Sequence, residues 1–183
     1  MKRSLLSLLL LASCSRPVPP LPTYNTVPDF TLTSEQGREF GSKDLAGKIW
    51  IADFIFTTCT GPCPRMSTQM RRVQEAVKDQ PNLALVSFTV DPAKDTPAAL
   101  AEYARRYKAD PDRWHFLTGP RETLHILKLE AFKLGSVDGS LNHSTRFVLI
   151  DAKRRVRAYY LTTEDDYLTP LLRDIRRLRE ERS

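Results

Sequence analysis

At 183 residues, with 41% hydrophobic and 27% charged side chains, the sequence suits one globular domain able to bury a core of its own. A formal charge of +6 is too small to point to a partner. The chain has neither a glycine-rich phosphate loop nor a basic groove studded with aromatics, so nucleic-acid and nucleotide binding find no support.

Lys2 and Arg3 precede an apolar run over residues 5–12, the layout of a secretory signal and too short for a permanent span. Leu11-Ala12-Ser13-Cys14 follows and resembles the bacterial lipobox, whose cysteine is lipidated and becomes the new amino terminus. Residues 1–13 are thus expected to be a removed signal peptide, with Cys14 the lipid anchor and +4 left on the mature chain. An ordinary cleaved signal, with Cys14 lost or free, is the alternative. Either implies export, and the first implies a bacterial lipoprotein on the periplasmic or other extracytoplasmic face of a membrane. Residues 14–28 hold Pro17, Pro19, Pro20, Pro22 and Pro28 and are expected to form an extended stalk, at about 3.1 Å per residue, below a domain spanning 29–183.

Phe30-Thr31-Leu32-Thr33 and Arg38-Glu39-Phe40 alternate about a Ser-Glu-Gln-Gly turn and predict a β-hairpin. The apolar run 49–56 predicts a buried strand. It breaks at Thr57-Thr58-Cys59-Thr60-Gly61-Pro62-Cys63-Pro64, and a helical pattern follows from Arg65 with Met66, Met70, Val73 and Val77 on one face. Two thiols therefore stand where a strand hands over to a helix. Residues four apart on a helical turn have Cβ atoms roughly 5–6 Å apart, so Cys59 and Cys63 can close a disulfide or share one metal ion. The free amides of a helix start favour thiolate at both. Metal binding and thiol exchange both need that thiolate, and the pair alone does not choose between them. Met66 could be offered as a third sulfur, but a methionine on such a stripe reads as packing.

Residues 83–90 predict a second buried strand, ending in Asp91-Pro92-Ala93-Lys94-Asp95-Thr96-Pro97. Asp95 or Thr96 is suited to cap a helix over 98–107 with Pro97 at its first position. Asp91 falls at the carboxyl end of a strand, where sites in open α/β sheets lie, and equally suits a turn-forming Asp-Pro. Residues 114–117 predict a short strand and 122–132 a short helix; His115 and His125 in them have no metal-ligand spacing to either cysteine and read as surface or packed residues. Asn142-His143-Ser144-Thr145 then feeds a strand over 146–150, a turn, a partner strand over 156–161 and a last helix. That helix lines Leu168, Leu171, Leu172, Ile175 and Leu178 along one face and sets Arg173, Arg176, Arg177 and Arg179 opposite, most simply a solvated face, with a lipid-headgroup contact as the alternative.

This order of elements, with a thiol pair after an early strand, predicts an α/β thioredoxin-like fold: a central mixed sheet flanked by helices, carrying an N-terminal β-hairpin extension. The motifs together resemble the Sco (SenC) copper proteins of cytochrome c oxidase assembly. They are Phe56-Thr57-Thr58-Cys59 with Cys63-Pro64, then Asp91-Pro92 with Asp95-Thr96-Pro97, then His143-Ser144 before Phe147-Val148-Leu149-Ile150-Asp151. The resemblance implies that Cys59, Cys63 and His143 bind a copper ion, with Asp91 and Asp95 near the site. It further implies a copper donor protein, the copper-site subunit of the oxidase and, through the anchor, the membrane as partners. Two thiolates suit Cu(I), an imidazole accommodates Cu(II), and a three-ligand set leaves a position open for handing the ion on.

The competing reading is a thiol–disulfide oxidoreductase in which Cys59 and Cys63 are catalytic. Such proteins usually carry two residues between the cysteines, where this chain has three, and a proline before the strand facing the thiols. No proline lies between Pro120 and Pro170, and His143 stands near the corresponding place. A peroxidase is disfavoured because Phe56, rather than threonine, stands three residues before Cys59. A purely structural disulfide is unneeded in a core of this size. Thr60 and Asn142 depart from the commonest Sco pattern without removing a ligand.

Overall fold

The computed structural model describes residues 19–135 and 144–181. In chain order the strands are β1 (Asn25–Thr26), β2 (Thr31–Ser34), β3 (Glu39–Gly41), β4 (Ile49–Ile55), β5 (Leu83–Thr89), β6 (Trp114–Thr118), β7 (Arg146–Ile150) and β8 (Arg155–Leu161). The α-helices are α1 (Cys63–Ala76), α2 (Pro97–Arg106), α3 (Arg121–Ile126) and α4 (Leu168–Glu180). Every residue of β4 and β5 is buried, the pattern of central strands covered on both faces. They pair in parallel from Ile49↔Leu83 to Ile55↔Thr89, β6 joins β5 in parallel, and β7 lies antiparallel on the other side of β4. The described residues form one mixed sheet in the order β1-β8-β7-β4-β5-β6-β2-β3.

Alternation along the central strands divides the core in two. Ile49, Ile51, Ile55 and Leu85 face Met66, Met70, Val73, Leu100, Leu171 and Ile175, so α1, α2 and α4 share one face. Trp50, Ala52, Phe54, Val86 and Phe88 face Leu124, Leu127 and Phe132 on the other. Phe54 stacks on Phe88 at 5.1 Å, and Phe132 meets Phe54 edge-on at 5.5 Å. The expected hairpin is β2–β3, and it extends the sheet beyond β6. Gly41 is required there, because a Cβ would stand 2.2 Å from the carbonyl oxygen of Phe30.

Two expectations need correction. The helix expected over 122–132 ends its α-helical part at Ile126, and Leu127–Ala131 forms a π-helical turn closed by the Phe132 amide on the Leu127 carbonyl at 2.9 Å. The stalk is shorter than its proline content implies. Leu21 and Val27 are core residues, and Asn25–Thr26 pairs with β8, so residues 19–28 are laid on the domain. Proline spacing excludes a helix or central strand here, but it leaves apolar side chains between the prolines free to pack at a sheet edge.

Candidate metal and thiol site

β4 carries the chain to the carboxyl edge of the sheet, where it turns. The Cys59 amide donates to the Phe56 carbonyl at 3.2 Å, and α1 begins at Cys63 with Pro62 before it and Pro64 in its first turn, where a missing amide costs nothing. The helix starts two residues earlier than the pattern predicts, so the thiols do not share a helical turn: Cys63 opens α1 and Cys59 sits in the preceding bend. They are nonetheless close enough to influence each other's ionisation, unbridged, and both buried.

Burial pushes the Cys63 thiol far above its ordinary range, with the neighbouring Cys59 thiol and the nearby Asp53 carboxyl adding to the rise. The sequence-based expectation that helix amides favour thiolate does not hold at Cys63, because loss of solvent outweighs the terminal dipole. A soft cation reverses the balance, since metal coordination deprotonates a thiol outright. The donor set therefore fits such an ion: two neighbouring, unbridged sulfurs, both buried, at the head of one helix.

Asp95 and Asp91 take different roles in the same loop. Asp95 is fully buried and accepts from the Thr57 amide at 3.2 Å, the Thr57 hydroxyl at 2.5 Å and the Thr89 hydroxyl. It ties the approach to Cys59 to the end of β5. Thr96, rather than Asp95, caps α2, accepting from the Ala99 amide at 3.3 Å. Asp91 is half-buried, its amide donates to the Thr89 hydroxyl at 2.9 Å, and its carboxylate faces Lys94 at 3.4 Å. Met66 is wholly enclosed in the core, as packing requires. His115 packs against Phe40 of β3, ring centres 4.4 Å apart and tilted by 36°, and burial lowers its pKa; His125 is exposed on α3.

His143, Asn142 and Cys14 lie outside the described residues, within which no group of three or more His, Cys, Asp or Glu side chains could hold a metal ion. The chain that follows His143 is placed. Thr145 accepts from the Thr162 amide at 2.8 Å and the Thr162 hydroxyl at 2.9 Å, and the Thr162 carbonyl accepts from Gln69 of α1 at 2.8 Å. The start of β7 is thereby tied to the thiol-bearing helix.

The residue missed in the sequence is Asp53. It sits within the all-buried β4, on the face shared with Ile51 and Ile55, and is completely enclosed. The Ser87 hydroxyl donates to its Oδ1 at 2.6 Å and accepts from Trp114 Nε1 at 2.9 Å, whereas Oδ2 has no partner among the described residues. Burial pushes this carboxyl up to about 7 against the smaller lowering by Ser87. A lone acid inside an apolar strand was the available signal.

The SCO1/SenC family model matches residues 19–179. The chain belongs to the SCO1/SenC family. A SCO1/SenC family lipoprotein from Bacillus anthracis is 33% identical, with a TM-score of 0.75 over 84% of this chain and 94% of that one. BsSco, a Sco-family cytochrome c oxidase assembly protein with a disulfide switch, is 29% identical, with a TM-score of 0.75 over 87% of this chain and 98% of that one. Yeast Sco1 with copper bound is 23% identical, with a TM-score of 0.70 over 86% of this chain and 95% of that one, a likeness of fold. The mixed sheet with flanking helices is thus the Sco version of the thioredoxin-like fold, as the order of elements predicts.

Proposed function

We propose that this family member is a membrane-tethered metallochaperone that binds one copper ion through Cys59, Cys63 and His143 and delivers it to the binuclear copper site of cytochrome c oxidase. The observation that carries the reading is the pair of free, buried, neighbouring thiols at the head of α1. Two sulfurs in that arrangement chelate a soft monovalent ion, and the imidazole would extend the set to the divalent state. Asp95 holds the turn that bears Cys59, so one sulfur is preorganised without the carboxylate entering the donor set. Copper is bound in the yeast structure that shares this fold, and BsSco acts in oxidase assembly. The lipid on Cys14 rests on the lipobox resemblance and on the lipoprotein relative.

The test is a titration of the reduced protein against a competing chelator. His143→Ala should weaken Cu(II) binding far more than Cu(I), and unchanged affinities for both would remove His143 from the set.

A second reading is favoured by the same pair of neighbouring free thiols. The metal-free dithiol can give two electrons to a disulfide in the oxidase copper-site subunit, becoming a Cys59–Cys63 disulfide while the target's sulfurs gain the two protons. Mixing the reduced protein with an oxidised fragment of that subunit measures it. Absence of thiol transfer within minutes would leave only the chaperone role.

A further inference from the structure

β4 runs from Ile49 toward the thiols, and the antiparallel register of β7, Ala52↔Val148 and Trp50↔Ile150, brings β7 to its end at the opposite edge of the sheet. The turn over residues 151–154 and the start of β8 therefore lie at that far edge. α4 begins near the thiol edge, where the Tyr167 hydroxyl donates to the Gln69 carbonyl at 3.3 Å, and so ends at the far one. The amino-terminal segment enters at this same place. Arg177 donates to the Pro19 carbonyl at 2.7 Å, the Leu21 amide donates to Glu181 at 2.9 Å, and Arg157 donates to the carbonyls of Leu21 at 2.5 Å and Pro22 at 2.9 Å.

Cys14 stands five residues before Pro19 in the sequence. Five residues reach at most about 18 Å even when fully extended, less than the roughly 20 Å length of β4 itself. The far edge also offers cations to an anionic surface. Asp151 and Asp174 are buried against Arg155, Arg157, Arg173 and Arg177, and Arg154 pairs with the exposed Asp29, whereas Lys153 and Arg176 are exposed, with Glu180 and Glu181 at the end of α4.

We propose that this edge, formed by the 151–154 turn, the end of α4 and the docked segment from Pro19, seats on acidic phospholipid headgroups and aims the thiol turn away from the bilayer. The inference rests on the reading of Cys14 as a lipid anchor. Each cation near an acidic leaflet adds to the attraction, and salt weakens it. The copper site would then be presented to a water-exposed domain of its partner, standing above the membrane by about the length of the sheet, rather than to a partner's membrane-buried part.

The test uses the full chain, processed in a lipoprotein-producing bacterium and reconstituted into phosphatidylcholine vesicles with or without phosphatidylglycerol. Mass spectrometry first reads the lipid on Cys14. In a Cys59→Ser/Cys63→Ser background, a fluorophore on Ala152→Cys should be quenched severalfold more by headgroup-attached nitroxide than one on Thr60→Cys. Lys153→Glu with Arg176→Glu should erase the difference. Hydrogen exchange of the unsubstituted protein on acidic vesicles provides a second measurement free of any folding defect: residues 151–154 should gain protection and residues 57–61 should not. Equal quenching at both positions, or protection of the thiol turn, overturns the orientation even when Cys14 carries lipid. An unmodified Cys14 removes the leash and overturns the anchor reading together with the orientation.

Discussion

Asp95 and Thr57 are 38 residues apart in the chain, yet the Asp95 carboxylate takes both the amide and the hydroxyl proton of Thr57. This contact, two residues before Cys59, converts a loop into a fixed approach to the first sulfur. Asp95→Ala would leave the buried Thr89 hydroxyl and the Thr57 amide without their acceptor, which costs about 2–3 kcal/mol. Denaturant unfolding of the metal-free protein should read that loss. Copper affinity should fall as well, and Asp95→Asn, which keeps an acceptor oxygen, should recover part of both.

Cys63 is fully enclosed, whereas Cys59 keeps 9% of its surface, and burial holds the Cys63 proton on. Alkylation requires an accessible thiolate. Brief treatment of the reduced, metal-free protein with iodoacetamide near neutral pH should therefore modify Cys59 first, as read by peptide mass mapping. Preferential labelling of Cys63 would mean that the helix dipole governs this site after all. Prior loading with Cu(I) should protect both thiols.

What could be read from the sequence and what could not divide along a physical line. Signals of local period were sufficient for β4, β5, the stripe of α1 and a cap of α2 at Asp95 or Thr96, because each is decided within one turn or one strand. The thiol pair was legible as chemistry, though the start of α1 at Cys63 was not, since helix boundaries depend on which amides find partners. Contacts closed by distant residues left no local trace. Asp95 was placed near the site through a resemblance, but its acceptance of Thr57 protons depends on the pairing of β4 with β5. The docking of Leu21 was hidden for a related reason: a proline-rich stretch has the composition of a solvated stalk, and partners far along the chain, Arg157, Arg177, Glu181 and β8, make it part of the domain.

The enclosed Asp53 carboxyl makes stability depend on pH in a defined direction. Its folded value, about 7, lies above the 3.8 of the free side chain, so between these limits the folded state holds a proton that the unfolded state has released. Stability from this group is complete below 3.8 and declines as pH rises through 7, by at most about 1.4 kcal/mol per pH unit. Chemical denaturation across pH 4 to 8 should show that slope, corrected for other groups by subtracting the profile of Asp53→Asn. Coincident profiles for the two proteins would show that Asp53 ionises in the fold without penalty.

Arg157 closes the domain at the edge opposite the thiols. Its side chain is 3% exposed and meets Asp151 at 2.8 Å, Glu181 at 2.7 Å and the carbonyls of Leu21 and Pro22. For Asp151, burial by itself would raise the pKa, but hydrogen bonds from the Arg155 amide and the Arg157 and Arg155 side chains outweigh it and hold the carboxyl below its usual range. Removing one partner of such an enclosed pair strands the other, at a cost of about 3–5 kcal/mol. Arg157→Ala should therefore unfold at markedly lower denaturant, and its deficit should shrink in acid as Asp151 takes up a proton. The same substitution releases the Leu21 carbonyl, so limited proteolysis should cut within residues 19–24 of the variant while leaving the parent protein intact there. Arg157→Lys keeps the charge but loses the planar fork that reaches two carboxylates and two carbonyls at once, and should fall between the two. A variant as stable as the parent, with its amino-terminal segment still protected, would mean that the β1–β8 pairing alone holds the segment in place.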